Sequence, residues 1–198
     1  WQAALTEPMA CGWHAVRLAL KQAPEPAERI EAVVLGGGAI GLSAALSLSI
    51  QGVSRITVLE TNAARRDRMR RALPQFDFQA SFEDTSGSLP HLVVDAVGIA
   101  PTRKIASTIV RPGGVIAHIG LGDNEGGLDV RRMTLQEISF IGTYTYSAKD
   151  FRDTAQAIFD GKFGSFDWVD QRPLSEGAGA FDDLLAGRVD AGKIVLMT

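Results

Sequence analysis

The feature that most constrains this chain is a run of glycines set between two apolar segments. Residues 32–35 (A-V-V-L) are an unbroken apolar stretch, and Gly36, Gly38 and Gly41 follow in G-x-G-x-x-G spacing. A helical run over 39–50 begins at once. A strand buried on both faces reads as just such a stretch. Strand, glycine turn and helix bring unpaired N–H groups and the positive end of a helix dipole to one point, which suits a pyrophosphate. Gly36 then permits the tight turn, Gly38 lets backbone approach phosphate, and Gly41 lets helix and strand pack closely. A glycine-rich turn with no ligand has the same residues, so the motif depends on its context.

That context supplies an acid. Residues 55–59 (R-I-T-V-L) read as the next strand, and Glu60 stands at its C-terminal end, 24 positions after Gly36. The offset is near the roughly 20 residues expected for the carboxylate that accepts the ribose hydroxyls of NAD. A carboxylate there can take both adenosine hydroxyls and repels the 2′-phosphate of NADP. The competing reading is a solvated charge at a strand end.

The totals exclude several classes. The chain has 198 residues, 45% hydrophobic and 22% charged, which describes an ordinary globular domain with an appendage. A net charge of −3 with no long basic block argues against nucleic acid or an anionic membrane as partner. No stretch approaches the ~20 apolar residues of a membrane helix. The densest basic cluster, Arg65, Arg66, Arg68, Arg70 and Arg71, reads as a solvated helix face with one arm able to reach a cofactor. The single cysteine, Cys11, excludes an internal disulfide framework and fits a reducing, cytoplasmic setting. A chain opening on Trp1 reads as a piece of something longer.

Along the chain, residues 6–20 read as a helix capped by Thr6, with Pro8 in its first turn and Met9, Trp13, Val16 and Leu20 on one face. Pro24 and Pro26 then make a linker. After helix 39–50 and strand 55–59 come helix 63–73 and a third strand near 76–78, then a short polar stretch, 81–90, where a crossover helix is reduced or missing. Strand 92–97, helix 102–110, strand 115–119, a loop over 123–127 expected to be mobile, a helical turn 133–137 and strand 138–143 follow. This alternation predicts an α/β Rossmann fold, a doubly wound parallel sheet of about six strands with helices on both faces. Ligands should lie at the strand C-termini where strand order reverses. Beyond residue 146 the pattern changes to helix 150–160, strand 168–173, helix 176–186 and strand 194–197, which do not extend the sheet. The expected division is a lead-in helix and linker (1–28), a nucleotide-binding domain (29–146) and a C-terminal segment (147–198).

Glu7 and Pro8, then His14 and Ala15, the run G-G-G-A-I-G over 36–41, V-D-A-V-G over 94–98, P-G-G over 112–114, I-G-L over 119–121, F-I-G-T-Y over 140–144, Pro173 and Leu174 leading to Ala180 and Phe181, and G-K-I-V-L over 192–196 occur in order. In these the chain resembles the C-terminal part of the medium-chain zinc-type alcohol dehydrogenases, in the sorbitol, polyol and threonine dehydrogenase branch. The resemblance covers nearly the whole chain. It implies hydride transfer between NAD and a secondary alcohol or polyol, with zinc polarising the oxygen in a catalytic domain that lies outside this sequence. An engineered or proteolytic truncation would account for that, and the C-terminal segment would return toward the catalytic domain. This piece by itself would hold no catalytic residue, would not turn over substrate and would not bind zinc.

Position by position, the resemblance places pyrophosphate on the backbone of Gly38, Ala39 and Ile40, within the turn from Gly36 to Gly41. It places adenosine ribose on Glu60 with Arg65 nearby, and nicotinamide and its ribose against Ala96, Val97, Gly98, Ile119, Gly120 and Leu121. The backbone of Thr143 and Thr145 would hold the carboxamide. Glu7 matches a glutamate beside the catalytic zinc, although a charge in the first turn of a helix explains it equally. The sixth strand would pair with its twin in a homodimer.

Other candidates have plainer readings. His14 reads as a structural histidine; His118 reads as core or as facing the cleft; His91 shows no partner. Cys11 reads as a buried small apolar group, and Asp95 caps a turn. Arg65 and Arg66 suit NADP, against which Glu60 argues. Two other functions fit the same residues: a zinc-independent enone or quinone reductase of the same broad family, and a non-catalytic nucleotide-binding module.

Overall fold

The computed structural model describes residues 1–83 and 87–198. Five parallel pairings build one six-stranded sheet. β1 (Glu31–Leu35) is central, and β2 (Arg55–Leu59) and β3 (Asp77–Gln79) extend one side. β4 (Leu92–Asp95), β5 (Val115–His118) and β6 (Ser139–Gly142) extend the other. The order 3-2-1-4-5-6 reverses direction between β1 and β4, and chain segments that leave this point diverge to opposite sides and open a crevice there. The doubly wound expectation is met. A separate two-stranded parallel sheet pairs β7 (Val169–Pro173) with β8 (Lys193–Met197).

Strand alternation gives the main sheet two cores. Ala32 and Val34 of β1 join Val58, Leu92, Val94, Val115 and Ala117 on one face, while Val33 and Leu35 join Leu59, Val93 and Ile116 on the other. The first face is covered by α1 (Thr6–Gln22), α2 (Ala39–Ile50) and Met69 of α3 (Ala63–Ala72). The second is covered by Ala106 and Ile109 of α4 (Ala100–Ile109) and by Met133 of α5 (Val130–Leu135). The first core continues into Phe163, Phe166, Trp168 and Val195, so residues beyond 146 pack on the same body as α1 and α2.

Helix α1 packs directly on α2 because Gly12 lacks a side chain. A Cβ there would stand 2.2 Å from Ser43 Oγ and 2.5 Å from the Ala44 nitrogen. Thr6 does not cap this helix. A 3-10 turn over Gln2–Leu5 runs straight into it, which makes Thr6 its first residue and leaves the cap position to Leu5, without a side-chain bond.

Several local expectations change on folding. Most of the arginines on α3 are not a solvated face. Arg65 donates to the Val189 carbonyl at 3.1 Å, and Arg68 reaches Asp190 Oδ1 at 2.8 Å and the Val169 carbonyl at 3.1 Å. Arg70 donates to the Phe78 carbonyl. The helix thereby straps the C-terminal segment to the sheet. The loop after β5, expected to be mobile, is gripped by buried Arg103, which donates to the carbonyls of Gly98, Asp123, Glu125 and Gly126 and to the Asp123 carboxylate. That guanidinium holds the Asp123 carboxyl below the usual carboxylate range. His91 does have a partner: its Nδ1 accepts the Glu31 N–H at 3.2 Å. Among the described residues no helix lies between β3 and β4, and residues 84–86 of that polar stretch lie outside the description.

Candidate functional site

The crevice at the β1–β4 reversal is a cleft of about 1100 Å³. Gly36, Gly38, Ala39, Ile40, Gly41, Glu60, Arg65, Ala96 and Val97 all line it. Gly36 turns the chain with φ of +98°, a conformation that side chains disfavour. A Cβ on Gly41 would stand 1.7 Å from the Gly36 carbonyl oxygen, so only glycine lets α2 start this close to β1. Gly38 differs from both. It occupies the cap position of α2, no side chain caps that helix, and a Cβ there would meet no protein atom within 4 Å. The vacancy faces the cleft, beside the first N–H groups of α2, which have no partner within the helix. A cradle with donors on its wall and room in front of Gly38 fits a diphosphate.

Glu60 is 6% exposed and already heavily bonded. Its Oε1 accepts from the Asn62 N–H at 2.7 Å, and its Oε2 accepts from the Gly37 N–H at 3.1 Å and from Arg65 at 3.2 Å. A carboxylate offers about four acceptor sites. About one therefore remains for a ligand, unless Arg65, the longest of the three bonds, lets go. The bond from Gly37 ties the acid to the glycine turn, so the two parts of the site are fixed to each other.

Helix α4 contributes a wall that sequence reasoning missed. Thr102, Ile105, Thr108 and Ile109 line the cleft at helical spacing, with Phe82 also on its surface. Ile105 is 38% exposed. An apolar residue on a helix face with no core partner was the available signal.

Gly98, Ile119, Gly120 and Leu121 do not line this cleft. They form a second, contiguous unit. A Cβ on Gly98 would stand 2.0 Å from the Gly120 carbonyl oxygen, and one on Gly120 would stand 2.1 Å from the Val97 carbonyl carbon. The turns after β4 and β5 interlock only because both positions are glycine. Asp95 organises them: its carboxylate accepts from the N–H groups of Val97 and Gly98 and from Thr102 Oγ1. The turn-capping reading of Asp95 holds. His118 does not line the cleft; its Nδ1 lies 3.2 Å from Asp95 Oδ2, outside hydrogen-bond geometry, and its ring packs on Phe140. Thr143 and Thr145 follow β6, and Thr143 donates through N–H and Oγ1 to the His118 carbonyl.

Glu7 lies apart from the cleft, exposed on α1. Burial, then the Glu7 charge, pushes the Cys11 thiol up to about 11 and raises the Tyr146 phenol. Among the described residues no three His, Cys, Asp or Glu side chains converge as a metal site. These residues do not by themselves assemble the three or four ligands that zinc takes. No helix among them is long and apolar enough to cross a membrane.

Sheet order and cleft define a dinucleotide-binding domain of the doubly wound class. The chain belongs to the zinc-binding dehydrogenase family, whose sequence profile matches residues 39–160. The L-galactonate-5-dehydrogenase of Escherichia coli K12 is 32% identical over 168 residues, which cover 81% of this chain and 48% of that protein. A probable D-xylulose reductase A of Aspergillus clavatus is 24% identical over 200 residues, covering 94% and 54%. This chain thus spans about half the length of these relatives. Among solved structures, L-idonate 5-dehydrogenase of Escherichia coli superposes with a TM-score of 0.81 over all of this chain and 57% of its own, at 16% identity. An alcohol dehydrogenase of Escherichia coli CFT073 in complex with NADH gives 0.80 at 17% identity, over 98% and 58%. At those identities the likeness concerns the fold.

Proposed function

We propose that this chain is the NAD-binding half of an alcohol or polyol dehydrogenase that moves hydride between NAD and a secondary alcohol. The observation that carries this reading is the cleft at the sheet's reversal point, where an uncapped helix start, an open space before Gly38 and a buried carboxylate at Glu60 stand together. The diphosphate lies on Gly38, Ala39 and Ile40, the adenosine ribose reaches Glu60, and the adenine packs on Ile105. The nicotinamide end extends past Val97 to the interlocked turns at Gly98 and 119–121, with Thr143 and Thr145 at its carboxamide. The relatives named as polyol and sugar-acid dehydrogenases support an alcohol substrate. In a complete enzyme Glu7 stands near zinc. Residues 29–146 are the cofactor unit, and 147–198 lead toward a catalytic domain.

The same reading includes a homodimer in a reducing cytoplasm. Among the described residues β6 pairs only with β5, and it carries Phe140, 38% exposed, and is followed by Tyr144, 77% exposed. An open apolar edge of this kind invites a second strand. The expected solution mass is that of a dimer, and a monomer at micromolar concentration would contradict it.

Gly38→Val is the experiment for the cofactor site. The new side chain meets no protein atom at its Cβ, so the thermal transition should stay put while NAD and ADP-ribose binding is lost in calorimetric titration. Unchanged binding would overturn the assignment.

A further inference from the structure

Asp150 is fully buried, yet it lies outside the cleft and outside every role described above. It sits in the first turn of α6 (Ala148–Phe159), where it forms a reciprocal cap with Ser147. Its Oδ2 accepts from Ser147 Oγ at 2.5 Å and from the Ser147 N–H at 3.1 Å. It also accepts from two side chains of α1: His14 Nδ1 at 2.8 Å, and Arg17 through Nε at 2.6 Å and Nη2 at 3.0 Å. Burial opposes its charge, but the bonds from Arg17, Ser147 and His14 prevail and hold the carboxyl well below the usual range. A helix cap needs only the Ser147 half of this arrangement. The α1 half bolts the end of the 143–147 turn to the body of the domain.

The other end of that turn is bolted as well, by the two bonds from Thr143 to the His118 carbonyl at the end of β5. Between the bolts stands Thr145 with φ of +49°. A β-branched residue in the left-handed region is strained and persists only where its surroundings hold it. The two anchors supply that hold: a five-residue turn pinned at both ends leaves Thr145 little choice.

We propose that Asp150 is a positioning residue for the nicotinamide end of the site: by locking Ser147 to His14 and Arg17 it fixes the 143–146 backbone, including Thr145, in the conformation that meets the carboxamide. This rests on the reading that places the carboxamide on Thr143 and Thr145. Asp150 touches no ligand itself; it acts through the turn.

The test compares NAD with ADP-ribose, which shares every part except the nicotinamide, by calorimetric titration of the wild-type protein, Asp150→Asn and Ser147→Ala. The wild type should bind NAD more tightly than ADP-ribose. Asp150→Asn should reduce that margin at least about fivefold and leave ADP-ribose affinity within about twofold. Ser147→Ala keeps the Asp150 bonds to His14 and Arg17 and cuts only the hydroxyl link to the turn, so it serves if Asp150→Asn folds poorly, and it should shift the margin in the same direction. Equal weakening of both ligands, or an unchanged margin in both variants, would overturn the positioning role. Absence of any margin in a wild type that does bind ADP-ribose would overturn the carboxamide assignment beneath it, and the role with it. Failure of the wild type to bind either ligand would overturn the cofactor reading as a whole.

Discussion

Replacing Glu60 by Gln tests how the site chooses its nucleotide. The carboxylate has about one acceptor site to spare beyond its bonds to Gly37, Asn62 and Arg65, so NAD gains about one charged hydrogen bond from it rather than two. Such a bond contributes about 1.5–3 kcal/mol and its neutral counterpart about 0.5–1.5. The difference of about 1–1.5 kcal/mol predicts NAD binding weaker by about 5–15-fold. NADP should move the other way. Removing a unit charge about 5 Å from its 2′-phosphate relieves roughly 1–3 kcal/mol for an effective dielectric between about 80 and 20. Together the preference for NAD over NADP should fall by at least about 30-fold. Gln is the better probe than Ala, because it keeps the side-chain volume and, through its carbonyl, the 2.7 Å bond from Asn62; its NH2 cannot accept from Gly37 and Arg65, so the comparison of the two nucleotides, which share that loss, carries the test. The assay is titration calorimetry of both nucleotides at one fixed salt concentration, since the phosphate term is screened. Equal change for NAD and NADP would refute the argument, because loss of loop geometry weakens both alike and only a ribose contact separates them.

Three further outcomes follow from the packing and the titrating groups. Gly12→Ala forces a methyl into Ser43 Oγ and the Ala44 backbone; overpacking of this kind costs about 1–3 kcal/mol, visible as a lowered denaturation midpoint, and an unchanged midpoint would show that α1 and α2 separate freely. Cys11, half-buried rather than buried, with its thiol near 11 rather than 9.0, should carry about 100-fold less thiolate at pH 8 and react with a disulfide reagent correspondingly slowly; reaction at the rate of a free thiol would contradict its partial burial beside Glu7. Asp150 has a folded pKa below its unfolded value, so its stabilisation is complete above about pH 4 and is lost as pH falls from there toward the folded pKa. Wild-type and Asp150→Asn thermal midpoints should therefore differ at pH 7 and converge on acidification, whereas a constant gap would place the stabilisation elsewhere than in the ionised carboxyl.

Much of this protein was legible because its signals are local. A buried parallel strand must be apolar throughout, and a strand that turns straight into a helix beside phosphate needs glycine at fixed spacing, so β1, α2 and the turn between them were drawn at or within a residue of their bounds. Helix α3, closed by Pro74, and β2 were also placed within a residue. The third strand expected near 76–78 lies one residue later, at Asp77–Gln79, whereas Thr6 as a helical residue rather than a cap was not legible, because there the preceding 3-10 turn decides the outcome.

The linear order of residues determined the strand–turn–helix unit, the acid downstream of it and the alternation that forces a doubly wound sheet, since each follows from bonding within a few residues. Tertiary structure alone decided how these parts are used. It brought Ile105 of α4 to the cleft wall, spent most of the Glu60 acceptors before any ligand arrives, turned the α3 arginines into straps for the C-terminal segment, and joined His14 and Arg17 to Asp150 across more than a hundred residues. Charged side chains on a helix show no pattern that names their partners. Which carbonyl or carboxylate they meet is fixed only when distant segments pack, and the burial that packing brings is what gives those bonds their strength.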